Sequence, residues 1–318
     1  MAISQGGVAI AQQFVPHYIT NRKVCAMLIG GSVARHSADA YSDLEIGVFW
    51  HEPPADYERQ QLIDRVGGER WTFHSYKAES GGVASEHYGL PAITVAGQRY
   101  TGALMVDVKH MTVHDVEETL TAVLSEYDTA LEKQMLLSTL VHAIPLHGAE
   151  ILAQWRGAAA AYPELLAIKI VQENLWFGPW FSPAAYIARN DTLVMHQHLL
   201  WAQQALLRIL AALNRIYYPS REHKWLDRLV AEFTLAPLDL ATRLRQVFCG
   251  TLREGWVIQR TLIEETIALV EQHLPAVDSV VMFAEHPEIT IAWAQKRWEA
   301  EPPYTLMTAV AAGTTKRT

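Results

Sequence analysis

The chain has 318 residues, half of them hydrophobic, and 34 acidic against 26 basic side chains give a formal net charge of −8. That length suggests two domains with a sizeable core, and the acidic balance argues against duplex nucleic acid, whose binding depends on neutralising phosphates with Lys and Arg. No apolar run approaches the ~20 residues of a membrane span, no basic stretch opens a secretory leader, and two cysteines, Cys25 and Cys249, suggest neither a disulfide framework nor a zinc site. A reducing, cytoplasmic setting without a membrane is expected.

In chain order, an apolar run from Val24 to Ile29 stops at Gly30, Gly31 and Ser32, and residues 38–42 read as a turn. Leu44, Ile46, Val48 and Trp50 then alternate with Asp43, Glu45, Gly47 and Phe49, the period of a half-buried strand. Asp56, after Pro53, opens a helix to Val66, closed by Gly67 and Gly68. Trp71 to Phe73 is a short strand, and Ala78 to Gly89, with Gly81 and Gly82, reads as a loop. Ile93 to Met111 reads as two strands meeting near Gly97 and Gln98. In the second of these, Leu104, Val106 and Val108 face one way and Met105, Asp107 and Lys109 the other.

After His114 the pattern is helical almost throughout, beginning with a helix capped by Asp115. Further helices are expected over 126–143, 149–161, 163–177, 191–217, 220–233, 237–249, 252–274 and 285–299, punctuated by prolines. No repeat of 20–50 residues is present, which excludes a solenoid. The expected division is a small α/β domain over 1–114, a helical domain over 115–307 and a frayed tail over 308–318.

The chemistry concentrates in residues 30–45. Residues i and i+2 of a strand share a face and lie roughly 6.6–7 Å apart, so Asp43 and Glu45 can share divalent cations as two-metal phosphoryl-transfer sites require. Gly30 and Gly31 allow a tight turn that approaches phosphate oxygens without a Cβ clash. Ser32 offers a hydroxyl and a backbone N–H to an anion. If the two acid-bearing strands are neighbours, Asp107 joins Asp43 and Glu45.

This constellation, GSVARHSADAYSDLEIGVFW with a third acid on a later strand, resembles the polymerase-β-like nucleotidyltransferase superfamily, in the version found in antibiotic nucleotidyltransferases. The resemblance runs from Val24 to Lys109. It implies an α+β fold, a small mixed-sheet nucleotidyltransferase domain followed by a mainly α-helical one. It also implies Mg²⁺ held by Asp43, Glu45 and Asp107, ATP or another NTP as donor, and Gly31 and Ser32 at its phosphates. Asp107 is either the third metal ligand or the acceptor of a proton from the substrate hydroxyl. Glu45 departs from the commoner Asp, and its extra methylene shifts the ligand outward.

A second cluster lies in the helical half, where eight Lys or Arg stand against five Asp or Glu between Tyr186 and Arg245. Trp225, Leu226, Leu229, Val230 and Phe233 form an apolar helical stripe flanked by Arg221, Lys224 and Arg228, with Ser220 as cap. The segment NRIYYPSREHKW is similar to one in bacterial nucleotidyltransferase-like proteins, which implies that Lys224 and Arg221 reach the triphosphate. His196 and His198, two apart in a helix, cannot share a metal as an i,i+4 pair can, and both they and His110 and His114 read as polar surface or interface groups. Trp176, Phe177, Trp180, Phe181 and Tyr186 read as packing or an acceptor pocket, and Glu173 as a surface carboxylate or a general base.

The expected activity is transfer of a nucleoside monophosphate, AMP from ATP, to a hydroxyl of a small-molecule acceptor by a monomer or homodimer. Two alternatives keep the fold. In one the acceptor is tRNA or a protein, as in toxin–antitoxin systems. In the other the domain is a non-catalytic nucleotide-binding module.

Overall fold

The computed structural model describes residues 2–78, 81–95, 98–175, 177 and 183–277. The fold is α+β: a six-stranded mixed sheet with helices, followed by a helical part. Contacts divide the chain into two units that meet between Tyr162 and Pro163.

The first unit opens with α1 (Ala2–Tyr18), then β1 (Val24–Ile29), the one-turn α2 (Gly31–Ala34), β2 (Leu44–Trp50) and α3 (Asp56–Arg65). It continues with β3 (Glu69–His74), β4 (Ala84–Val95), β5 (Gln98–Thr112), α4 (Val113–Leu124), α5 (Leu131–His142), β6 (Ile144–His147) and α6 (Ala149–Ala160). The strand order is β3-β4-β5-β2-β1-β6. Only the central β2 and β5 run parallel among these pairs, with Glu45 opposite Asp107 and Ile46 opposite Val108.

The alternation seen in β2 and β5 sorts the two faces as expected. Leu44, Ile46, Val48, Val106 and Val108 are buried in a core completed by Phe14 and Tyr18 of α1 and Leu62 and Ile63 of α3. On the opposite face, Phe49 meets Trp155 of α6 edge-on at 5.0 Å.

Four expectations need correction. The stretch from Ala78 to Gly89 is a loop only in part, because β4 begins at Ala84, with Ala84, Glu86, Tyr88 and Leu90 all buried. Asp115 is not the cap of α4: Thr112 is, accepting from the Asp115 N–H at 3.1 Å while the Asp115 carboxylate accepts from the Thr112 N–H at 2.8 Å, a reciprocal capping box. His110 is no surface group but fully buried. The boundary at 114 also shifts. β6 returns to pair with β1, Leu28 opposite Pro145, and so ties α4, α5 and α6 to the sheet. Gly148, at φ +64°, makes the turn into α6 with so little room that an added Cβ would lie 2.2 Å from the Cys25 carbonyl oxygen.

The second unit contains α7 (Glu164–Asn174), α8 (Pro183–Arg189), α9 (Thr192–Leu213), α10 (Leu226–Ala231), α11 (Leu240–Gln246) and α12 (Leu252–His273). The 22-residue α9 is its central element, with both Leu206 and Leu210 fully buried. α12 starts from a Thr251–Glu254 capping box and is tied to α11 by a two-pronged Arg243–Glu265 pair at 2.6 and 3.0 Å. The expected helix over 285–299 and the tail over 308–318 lie outside the described residues.

Candidate functional site

The turn after β1 is built around a carboxylate. The Gly30 N–H donates to the Glu45 carbonyl at 3.0 Å, which extends the β1–β2 pairing by one residue. Gly31 has φ +55°, and a Cβ placed there would lie 1.9 Å from Glu45 Oε2. Glycine is therefore required twice over: for the left-handed backbone, and because the Glu45 carboxylate lies against it. The Ser32 hydroxyl oxygen is shielded from solvent and has no hydrogen-bond partner. Arg35 anchors the turn by donating to Ser138 Oγ at 2.7 Å from α2's end to α5.

Glu45 lies within β2, and the register places it directly beside Asp107 of β5. Asp43 is exposed and precedes the first residue of β2, so the expected pair of acids on one strand becomes one on the strand and one at its mouth. Asp107 in turn faces His87 of β4 across the next strand pair. His87 Nε2 lies 3.3 Å from Asp107 Oδ1, and Lys109 Nζ lies 3.8 Å from Oδ2. His87 Nδ1 shares a 2.6 Å hydrogen bond with Thr72 Oγ1 of β3. The result is a polar row, Glu45, Asp107, His87 and Thr72, crossing four adjacent strands. Asp107 Oδ1 is buried and accepts no hydrogen bond, since the His87 contact has the distance of an ion pair but not the geometry of a bond.

Among the described residues no three His, Cys, Asp or Glu side chains are gathered to hold a metal ion. The donor chemistry nonetheless fits Mg²⁺, which takes one or two protein carboxylates and keeps its other positions for water and substrate phosphates. Glu45 and Asp107 supply two such carboxylates in register, although His87 and Lys109 stand 3.3 and 3.8 Å from the two Asp107 oxygens.

Reading the sequence missed His87 and Thr72. The signal was present, since buried Ala84, Glu86, Tyr88 and Leu90 alternate with the less buried Ser85 and His87. A charged residue in the buried row and the nearby glycines concealed it.

Arg221 and Lys224 belong to the helical unit. They precede α10 rather than flanking it, because Trp225 at φ 56° begins the helix and Ser220 Oγ instead accepts from the Glu222 N–H. Lys224 is exposed and paired with Glu222 at 3.2 Å. Arg228 lies over the Trp225 ring at 5.6 Å. His196 meets Phe248, and His198 packs between Tyr186 and Trp201, where burial lowers its pKa. Phe177 is buried and Glu173 lies on α7, whereas Trp176, Trp180 and Phe181 lie outside the described residues. Among the described residues no helix is long and apolar enough to cross a membrane.

No family model and no curated protein matches the chain. Among solved structures it is similar to a nucleotidyltransferase-like protein from Exiguobacterium sibiricum 255-15, with 10% sequence identity and a TM-score of 0.38 over 84% of this chain and 78% of that one.

Proposed function

We propose that the first unit transfers a nucleoside monophosphate from a nucleoside triphosphate, with ATP the first donor to test, to a hydroxyl of a small molecule. The observation that carries this reading is the in-register pair of Glu45 and Asp107 on parallel strands, with Glu45 folded against the Gly31 turn. Carboxylates on adjacent parallel strands stand about 4.8 Å apart at the backbone, close enough to act on one phosphoryl group.

In this reading Glu45 and Asp107 hold Mg²⁺, with Asp43 at the strand mouth as a further ligand. When bound, the ion screens the triphosphate and stabilises charge developing on the transferred phosphoryl oxygens. The Gly31 backbone lies close to the phosphates, and the unpartnered Ser32 hydroxyl donates to one of their oxygens. Asp107 Oδ1, which accepts no hydrogen bond and has His87 Nε2 at 3.3 Å, is the carboxylate oxygen that takes the proton of the attacking hydroxyl. The acceptor's OH bond breaks, its oxygen bonds to the α-phosphorus, and pyrophosphate leaves.

The test is transfer of label from α-³²P ATP and Mg²⁺ to a panel of hydroxyl-bearing small molecules, with cell RNA and protein as further acceptors. Labelled product that disappears in Glu45→Gln and Asp107→Asn supports the reading, and its position identifies the acceptor class. ATP binding that is indifferent to Mg²⁺ and to both substitutions replaces it with a non-catalytic nucleotide-binding module. One observation favours that second reading: Lys109 and His87 already flank Asp107 with groups able to carry positive charge.

A further inference from the structure

The edge strand β3 does not pair evenly with β4. Glu69 lies opposite Gly89 and Arg70 opposite Tyr88, but Thr72 lies opposite His87, which leaves Trp71 as the extra residue of a β-bulge. Neighbours on a regular strand point to opposite faces. The bulge instead brings both Trp71 and Thr72 onto the face of His87, while Phe73 packs against the core on the other side. There the indole lies across Gly89: a Cβ at that glycine would stand 3.4 Å from Trp71 Cζ2 and 3.7 Å from Nε1. Gly89 is buried, yet Trp71 itself is 58% exposed, so the indole turns one side to the sheet and the other to solvent.

Two rows therefore cross β3, β4 and β5 side by side. One is polar and consists of Thr72, His87 and Asp107. The other is apolar and consists of Trp71, Gly89 and Met105, since Gly89 pairs with Met105 as His87 pairs with Asp107. Gly89 and Asp107 are diagonal neighbours on one face, about 7–8 Å apart, which a single ring bearing a hydroxymethyl group spans. A glycine inside a strand weakens it and marks a place where a ligand or another chain segment approaches closely.

The transfer reaction proposed above selects the occupant. In phosphoryl transfer the attacking and leaving oxygens stand roughly in line. With pyrophosphate leaving toward the Gly31 turn, on the β1 side of Glu45 and Asp107, the acceptor oxygen arrives from the β4 side, where the apolar row lies. We propose that Trp71, Gly89 and Met105 form the acceptor subsite of the first unit. It takes a hydroxyl-bearing aromatic ring stacked on the indole, with the hydroxyl directed at Asp107. The direction of approach rests on the transfer proposed above; the platform itself rests on the bulge and the glycine beneath the indole.

Ligand-observed NMR titration of the full chain with naphthylmethanol, without nucleotide and with glycerol as the ringless control, tests the platform. Naphthylmethanol binds saturably and glycerol does not. Trp71→Ala weakens naphthylmethanol about tenfold, and Trp71→Phe, which keeps a ring, by a smaller factor. Gly89→Val keeps the indole but fills the space in which it lies, and weakens binding as Trp71→Ala does. Because Trp71 is exposed on an edge strand, Trp71→Ala keeps the circular dichroism spectrum of wild type.

In label transfer from α-³²P ATP, Trp71→Ala raises the KM for naphthylmethanol about tenfold and leaves the KM for ATP unchanged. A tenfold loss of ATP affinity in Trp71→Ala gives the platform to the nucleobase and overturns the acceptor assignment. Glu45→Gln abolishes transfer and leaves ring binding intact, so the two readings fail separately. Trp71-dependent ring binding without transfer to any acceptor overturns the transfer and keeps the ring site, whereas transfer whose KM for naphthylmethanol ignores Trp71 overturns the subsite alone. The subsite is also overturned if naphthylmethanol binds no better than glycerol, or if Gly89→Val binds it as wild type does.

Discussion

Glu86 and His87 are neighbours on β4 and point to opposite faces of the same sheet, yet their surroundings have little in common. On the covered face, Glu86 Oε2 accepts from Arg59 at 2.7 Å and Oε1 bonds His110 Nε2 at 2.6 Å. Trp50 Nε1–H donates to His110 Nδ1 at 2.9 Å, so that nitrogen is an acceptor and the proton of a neutral ring lies on Nε2, toward Glu86. Arg59 then continues to Asp56 and the His74 carbonyl and lies over the Phe73 ring at 3.9 Å. Trp50, Arg59, Glu86 and His110 are all fully buried. Burial, with Tyr88 and Glu86 adding, also raises the Tyr18 phenol well above its ordinary value.

On the other face, His87 and Asp107 stand at ion-pair distance, and Asp107 Oδ1 accepts no hydrogen bond. Glu86 is fully buried, and Asp107 is half-buried with its Oδ1 closed off from solvent. One is satisfied by protein and holds strands β2, β4 and β5 together with α3; the other is left with capacity for something else. Arg59 Nε is left over in the covered network, but both Glu86 oxygens are bonded; an acid satisfied on both oxygens rigidifies the fold, whereas one with an unbonded oxygen can still accommodate a ligand.

The largest effect that tests this contrast is on the covered face. Glu86→Ala leaves Arg59 and His110 without their shared acceptor and costs about 3–5 kcal/mol of stability, measured by urea unfolding. Asp107→Asn changes stability by less than about 0.5 kcal/mol, because Oδ1 has no hydrogen bond to lose. Equal costs at the two positions would dissolve the contrast. On activity the order reverses. Under the proposed function, Asp107→Asn lowers nucleotidyl transfer on the order of a thousandfold, the several kcal/mol that a carboxylate proposed to hold Mg²⁺ would control at ten-fold per about 1.4 kcal/mol.

A smaller effect sharpens the reading of His110. Trp50→Phe deletes the donor to Nδ1 and leaves a buried acceptor unpaired, at about 1–3 kcal/mol. The double variant Trp50→Phe/His110→Phe loses less than the sum of its singles if the two residues act through one bond. Strict additivity would mean that the cost is packing alone.

The sequence made the half-buried strands legible and the long-range pairings illegible. β2 and β5 announced themselves because each has one apolar face, Leu44 to Trp50 and Leu104 to Val108, and one polar face. Their adjacency, which brings Glu45 to Asp107, is a contact between distant segments that local pattern does not encode. β4 was hidden because Glu86 occupies a core position that reads as polar until Arg59 and His110 are seen around it. β6, four residues long with Pro145 in it, carries too little pattern to be read, yet it decides where the first unit ends. The helix expected from Ser220 starts at Leu226 because Trp225 adopts a left-handed backbone, which removes Arg221 and Lys224 from its flank.

The smallest effect comes from the point where the buried network reaches solvent. Asp56 has a half-exposed side chain; the Ser75 hydroxyl donates to it at 2.6 Å and Arg59 at 2.9 Å. The Ser75 hydrogen bond first, and then Arg59, hold its carboxyl below the ordinary range against an opposing effect of burial. Because the folded value lies below the unfolded one, near about 3.9, the associated stability is fully present above that pH and is lost as pH falls through the folded value. Exposure screens the interaction, so the contribution stays under about 1 kcal/mol. Wild type is therefore more stable than Asp56→Asn at neutral pH, and acid unfolding curves of the two converge as pH falls through the folded value. A gap that persists in acid would show Asp56 acting through packing rather than charge, and the covered network would then end at Arg59 instead of extending to the surface.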